Sequence, residues 1–307
     1  MKSVEVREYV VCLFDFLGQR EGLLRKVRNT EDITSLQGEL DKISNLVQSF
    51  NDYMRQAFDV IKNKGTDVLR RLGVVEKDMP QFIERMNQVH LGIQQYSDTT
   101  LIYVGAEDGE GMGFGMFIDF CLTVAAHFLH TVSEGMLVRG AITMGKAWEI
   151  APNCLYGPVM EDVYSMESSL ANYPRIVISP NVVGRIQKLE KEAANANVPI
   201  RLLNCLAYDF DGMFILDYLS VSTVAWYTMM NVDQHALIDV LVKGLRWIRT
   251  VLESLQQSAS GDVASMRVLQ KYSYLRSYWN PRIDVLIEFF NKQEQIGKTP
   301  QSGTDWA

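Results

Sequence analysis

Apolar and polar positions change period along the chain, and those changes divide it into elements. Residues 4–16 are almost unbroken Val, Leu, Phe and Cys up to Asp15-Phe16-Leu17-Gly18, the pattern of a buried strand running into a glycine turn. Thr30 then caps a long helix whose stripe of Leu36, Leu40, Ile43, Val47, Phe50, Met54, Ala57 and Ile61 repeats by fours and threes. A second helical piece is expected over 80–91, followed by a hairpin of 92–96 and 99–105 joined at Ser97-Asp98. A glycine-rich loop, 105–115, leads into an apolar helix over 117–133, and 136–148 reads as a strand holding Arg139-Gly140. Helix 158–170, strand 174–179, helix 181–196 and two closing strands, 200–207 and 213–219, complete this unit.

From Val232 onward the pattern is helical. Leu241, Leu245, Ile248, Leu252 and Leu255 keep a heptad-like rhythm up to the break at 258–261. A further helix is expected to end near Tyr278. Another should start at Asn280-Pro281, where Asn caps and Pro occupies the first turn. The tail beyond Lys292 is polar and expected to be disordered. The order is that of an α+β protein, a mixed sheet with helices on one face. A domain over residues 1–220 is followed by a C-terminal helical extension, 221–307.

Charge narrows the partners. The 307 residues carry 30 basic and 37 acidic side chains, a net −7, with no stripe of Lys and Arg, so binding to a nucleic-acid polymer is disfavoured. A small nucleotide whose phosphates meet a metal suits this balance better. The beginning, with Glu5, Glu8 and Asp15, does not read as a signal peptide, and no run is long and apolar enough to span a membrane. The four cysteines are scattered without a CxxC, which fits buried reduced thiols and a cytoplasmic protein.

Two aspartates draw the chemistry. Asp15 ends an apolar strand and Asp98 sits at a tight bend, and Asp is both a poor strand former and expensive to bury unpaired. If their strands are neighbours, both carboxylates emerge at one sheet edge, where they could serve as a turn former each or as ligands for hard divalent cations.

The words around them resemble, in order, those of the class III nucleotidyl cyclases. FDFLGQ (14–19), YSDTTLIYV (96–104), VRGAITMG (138–145) and YGPVMEDVYSMES (156–168) follow the family's strand-end Asp word, its Asp hairpin, its Arg-Ile-Gly-Ile strand and its helix ending in Arg-Met-Glu-Ser. The resemblance covers about residues 4–219. The variant spellings, with YPRIVIS and YDFDGMFILDYL, are similar to divergent bacterial members, the pyrimidine cyclases of anti-phage systems, which make cyclic UMP or cyclic CMP.

The resemblance implies a ferredoxin-like βαββαβ core and a two-metal mechanism. Asp15 and Asp98, with the Phe16 carbonyl, would hold two Mg²⁺ or Mn²⁺ ions. The backbone amides of Leu17, Gly18 and Gln19 would cradle the phosphates of a nucleoside triphosphate. It also implies a head-to-tail homodimer with active sites at the interface. The family's transition-state Asn and Arg fall on Glu161 and Ser165, which can do neither job. Arg139 and Arg175 are the candidate replacement cations, and Lys146 a candidate phosphate contact. The residues that read the base do not transfer, so UTP, CTP, ATP and GTP all stay open. A catalytically silent module of the same fold, which dimerises and binds nucleotide or a partner protein, is the alternative. A diguanylate-type palm is disfavoured because its GGDEF-type hairpin is missing. The reading fails if Asp15 and Asp98 lie on opposite edges, or if each is paired with a cation of the protein itself.

The remaining motifs have plainer readings. GEGMGFG (109–115) lacks the Lys-Ser/Thr of a P-loop and reads as a flexible loop. His127 and His130 lie three apart on an apolar helix without a third ligand nearby, so packing is expected rather than zinc. Asp209, Asp211 and Asp217 lack the other ligands of an EF-hand and read as a turn.

Overall fold

The computed structural model describes residues 5–16, scattered positions between 37 and 59, and residues 91–96, 99–105, 113–195, 202–229, 233–258 and 263–298. The expected helix 80–91 as far as residue 90, most of the stripe 36–61, the turn 97–98, the segment 17–19 and most of the glycine-rich loop lie outside the described residues.

The sheet is built around β1 (Arg7–Phe16), which pairs antiparallel with β3 (Thr99–Gly105) on one side and β4 (Val138–Ala151) on the other. β2 (Gly92–Tyr96) pairs with β3, and β6 (Ile176–Ile178) runs parallel to β4. β8 (Phe214–Leu216) and β7 (Leu206–Tyr208) extend the far edge, giving the order β2-β3-β1-β4-β6-β8-β7, while β5 (Cys154–Tyr156) joins β4. The one parallel pair makes the sheet mixed. β1 reads as a run rather than an alternation because both its faces are covered.

Alternation still decides which face each side chain joins. Val10, Cys12, Phe14 and Phe16 pack into the larger core with α1 (Gly113–Ser133), while Tyr9, Val11 and Leu13 face α2 (Pro158–Leu170) together with Leu101, Tyr103 and Ala141. Helices therefore cover both faces, where the sequence reading expected one. The missed signal is the apolar spacing of Val159 and Val163 on α2, both fully buried against β1 and β4. α2 starts where Gly157, at φ 146°, turns the chain and Pro158 takes the first turn. A Cβ at Gly157 would stand 2.7 Å from the Ala147 Cα, so only glycine admits this approach.

α3 (Pro180–Asn195) leans on β4, and α4 (Val221–Met229) follows β8. α5 (Gln234–Ser258) packs on α1 and α6 (Val263–Lys298) packs on α5. Leu241, Ile248, Leu252, Leu275 and Trp279 share one apolar cluster with the sheet, so the C-terminal helices close the core rather than hang from it.

α6 corrects two expectations. It passes through Pro281 without ending, and it continues to Lys298 across positions expected to be disordered. Proline inside a helix costs about 3 kcal/mol. Leu275, Tyr278, Trp279, Ile283, Leu286 and Phe290 form one buried stripe across the proline, and burial of each large side chain returns roughly 1.5–3 kcal/mol. Packing outweighs the local signal.

No helix among the described residues is long and apolar enough to cross a membrane. Cys12, Cys121 and Cys205 are buried and Cys154 is half-buried, all four as thiols. Burial pushes the Cys205 thiol up to about 11, and those of Cys12 and Cys121 upward too. His127 is buried with its ring edge toward Phe14, and the Thr131 hydroxyl lies 3.0 Å from its Nε2; burial holds it well below the usual histidine range, hence neutral.

Candidate functional site at the Asp15 end of the sheet

Register brings the site together. Asp15 is opposite Thr99 on β3 and opposite Arg139 on β4, and all three belong to the face that α2 covers. Glu167, on the last turns of α2, arrives from above in line with Val159 and Val163, four residues per step. The Arg139 guanidinium joins the two acids. Its Nη2 and Nε lie 3.1 and 3.2 Å from Asp15 Oδ2, its Nε lies 2.6 Å from Glu167 Oε1, and Nη1 reaches the Ala171 carbonyl at 3.5 Å. The Thr99 hydroxyl donates to Asp15 Oδ1 at 3.4 Å. Among the described residues, side-chain exposures of 22%, 16% and 4% for Arg139, Asp15 and Glu167 leave a cluster of one cation and two anions, open on the Asp15 side and shut on the Glu167 side.

The structure sorts the expected site residues. Asp15 and Arg139 meet. Phe16 ends β1 beside them, buried and paired with Val138. Asp98, Leu17, Gly18 and Gln19 lie outside the described residues, though Thr99, the next residue after Asp98, is the direct partner of Asp15. Asp15 is paired with a cation of the protein itself, one half of the condition set against the metal reading.

Two expectations are corrected. Lys146 stands opposite Glu8, seven residues along β4 from Arg139, which at ~3.3 Å per residue puts its backbone about 23 Å from the Asp15 end. At that distance it does not serve as a phosphate contact for this site. Arg175 is 2% exposed and its guanidinium is held by Asp209, by Asp211 at 3.0 Å and by the Leu170 carbonyl at 2.9 Å. Tyr173 and Phe210 flank it at 5.5 and 5.9 Å. A guanidinium buried to this degree reaches no substrate, so it acts as a lock and not as a transition-state cation. Asp209 and Asp211, expected as a turn, do form one at Gly212 (φ 79°), and the turn exists to present them to Arg175.

Glu161 and Ser165 lie exposed on the outer side of α2, away from the Glu167 stripe. Glu167 itself carried no assigned role in the sequence, although a glutamate spaced by four from two buried valines is a sign of a buried cationic partner. Among the described residues no three His, Cys, Asp or Glu side chains cluster as a metal site. The donor chemistry at Asp15 fits a hard divalent cation in one respect: it is a carboxylate at a half-open strand end.

Gly140 keeps this geometry. A Cβ there would meet the Leu13 carbonyl oxygen at 2.5 Å, between β1 and β4 and one residue from Arg139. Gly140→Ala is expected to lower stability by about 1–3 kcal/mol through this overpacking, read as a drop in the urea midpoint.

No protein-family model matches the chain, and no curated protein matches it.

Proposed function

We propose that the chain is a nucleotidyl cyclase of the class III type, which converts a nucleoside triphosphate to a 3′,5′-cyclic nucleotide and pyrophosphate. One observation carries the reading. Asp15, Arg139 and Glu167 come from three of the four words that resemble the family, 124 residues separate the first two, and all three side chains meet at one sheet end. The fourth word contributes Thr99 to the same cluster. Words that matched by chance would have no reason to converge. The arrangement β4-β1-β3-β2, antiparallel at every step and with α1 between β3 and β4, also supports the ferredoxin-like core.

Asp15, the Phe16 carbonyl and Asp98 are the proposed holders of Mg²⁺ or Mn²⁺. Such ions would lower the pKa of the ribose 3′-hydroxyl and neutralise the triphosphate. The rest of the work falls to the chain. Arg139 has two acids, so Glu167 retains its guanidinium when Asp15 turns outward, and the retained cation faces the phosphate side of the site. Leu17, Gly18 and Gln19 offer backbone amides to the phosphates. The narrower resemblance makes UTP and CTP the first substrates to try, with an anti-phage signalling role and a homodimer sharing its active sites as further parts of the proposal.

The Asp15–Arg139 ion pair favours a second reading, a silent module in which Arg139 permanently fills the place of a metal. One experiment separates them: each of the four triphosphates is incubated with the chain and Mn²⁺, and cyclic product and pyrophosphate are measured. The cyclase reading expects turnover that falls more than about 100-fold in Asp15→Asn, since losing even an outer-shell partner of a metal costs 10–100-fold. Nucleotide binding without product from any triphosphate overturns it in favour of the silent module.

A further inference from the structure

On the side of the sheet away from α2, α5 and α6 leave between them a groove of about 420 Å³. Its floor includes Leu245 and Leu286, and its rim carries Val242 and Ile287, 45% and 52% exposed, beside Arg246 and Arg249. Neither arginine makes an ion pair with another described residue. An apolar channel edged by two uncompensated cations calls for an occupant with an apolar stripe and acidic flanks.

This chain carries such a stripe on α6, itself one wall of the groove. On α6 the exposed Asp284 and Glu288 bracket Ile287, three residues to one side and one to the other. Asp284 makes no ion pair with another described residue, and Glu288 meets only the exposed Lys292, at 2.6 Å. The acids are spaced i, i+4 and the arginines i, i+3, rises of about 6 and 4.5 Å along their helices, so one pair can lie over the other.

We propose that this groove is a contact between two copies of the chain about a twofold axis near Ile287. Asp284 and Glu288 of each copy lie over Arg246 and Arg249 of the other, and the two Ile287 side chains close the apolar seam. The acids ride on one wall of the groove and the arginines on the other, so one twofold rotation satisfies both halves of the contact. A foreign acidic helix would meet the arginines but leave the stripe at Ile287 uncovered. Glu253, one turn beyond Arg249 on the groove wall, repels an acidic stripe that slides toward it and so fixes the register. The four helices then form a bundle. This contact does not rest on the cyclase reading, uses the opposite side of the sheet from Asp15, and is additional to the active-site-sharing homodimer proposed above.

The test is cross-linking of the full chain carrying Ile287→Cys and Cys154→Ser with a short bis-maleimide, folding being checked by circular dichroism. Covalent dimer is expected. Its yield should fall at least tenfold when Arg246→Glu and Arg249→Glu are added. It should return when Asp284→Arg and Glu288→Arg are combined with them, a restoration that general damage to the fold cannot give. No dimer in the starting variant, a yield indifferent to the reversal, or no recovery in the combined variant overturns the proposal. Catalytic turnover plays no part in the readout.

Discussion

Arg175→Ala is expected to cost about 3–5 kcal/mol of folding stability, among the largest effects of any single substitution in this chain. The side chain is 2% exposed and joins three separate parts of the fold: the β7–β8 turn through Asp209 and Asp211, the end of α2 through the Leu170 carbonyl, and, through Asp209, the Tyr274 hydroxyl of α6 at 2.7 Å. Removing it leaves two carboxylates facing each other with no cation between them. The loss has a pH signature. Hydrogen bonding to Arg175 holds Asp211 below its ordinary 3.8. A depressed carboxylate contributes stability that is present above the unfolded value and lost as pH falls through the folded one. The gap between wild type and variant should therefore be constant from neutral pH down to about pH 4 and narrow only in stronger acid, as urea midpoints at pH 7 and pH 3 would show. A gap already closed at pH 5 would contradict the lock.

Trp279→Ala is expected to cost a similar 3–5 kcal/mol, the range for removing a large aromatic side chain from a core. Trp279 is wholly buried, its indole N–H donates to the Tyr218 hydroxyl at 2.8 Å, and its ring lies so close to α5 that a Cβ on Gly244 would come within 2.5 Å of it. The shape of the transition matters as much as its midpoint. Because α5 and α6 share the cluster that contains Val10, Phe14 and Ile142, the loss should appear as one cooperative transition at a lower urea concentration. Two separated transitions would mean that residues 221–298 form an independent unit.

The parts of this fold that sequence makes legible are those where a local pattern and a tertiary contact agree. β1, the β2–β3 hairpin and α2 fall within a few residues of their expected bounds because their apolar runs, turn residues and Gly157-Pro158 start all point the same way. The misreadings arise where long-range packing overrides a local cue. Pro281 is a sound helix start by itself, and only the buried stripe on both sides of it keeps α6 whole. Arg175 looked available because the two acids that neutralise it come 34 and 36 residues later, on a turn with no marker of its target. Lys146 follows Arg139 closely in the chain, but a strand is straight and seven residues carry it to the other end. At the candidate site, Asp15 and Arg139 were legible as unusual charges in apolar strands. Their pairing was not, because it depends on the β1–β4 register, and that depends on the whole sheet.

The register of β1 also sets the order of events as the protein is made. Of the described strands of the sheet it is made before the others, and its two neighbours are about ninety and one hundred and thirty residues further on. At synthesis rates of roughly 5–20 residues per second, it waits on the order of ten seconds for β4. Until β3 follows, VVCLF lacks both of its sheet neighbours, and its pairing must then close a long loop before any contact repays the entropy. The centre of the finished sheet is thus open to chance association at birth for longer than the strands that flank it, which gives a chaperone reason to hold it.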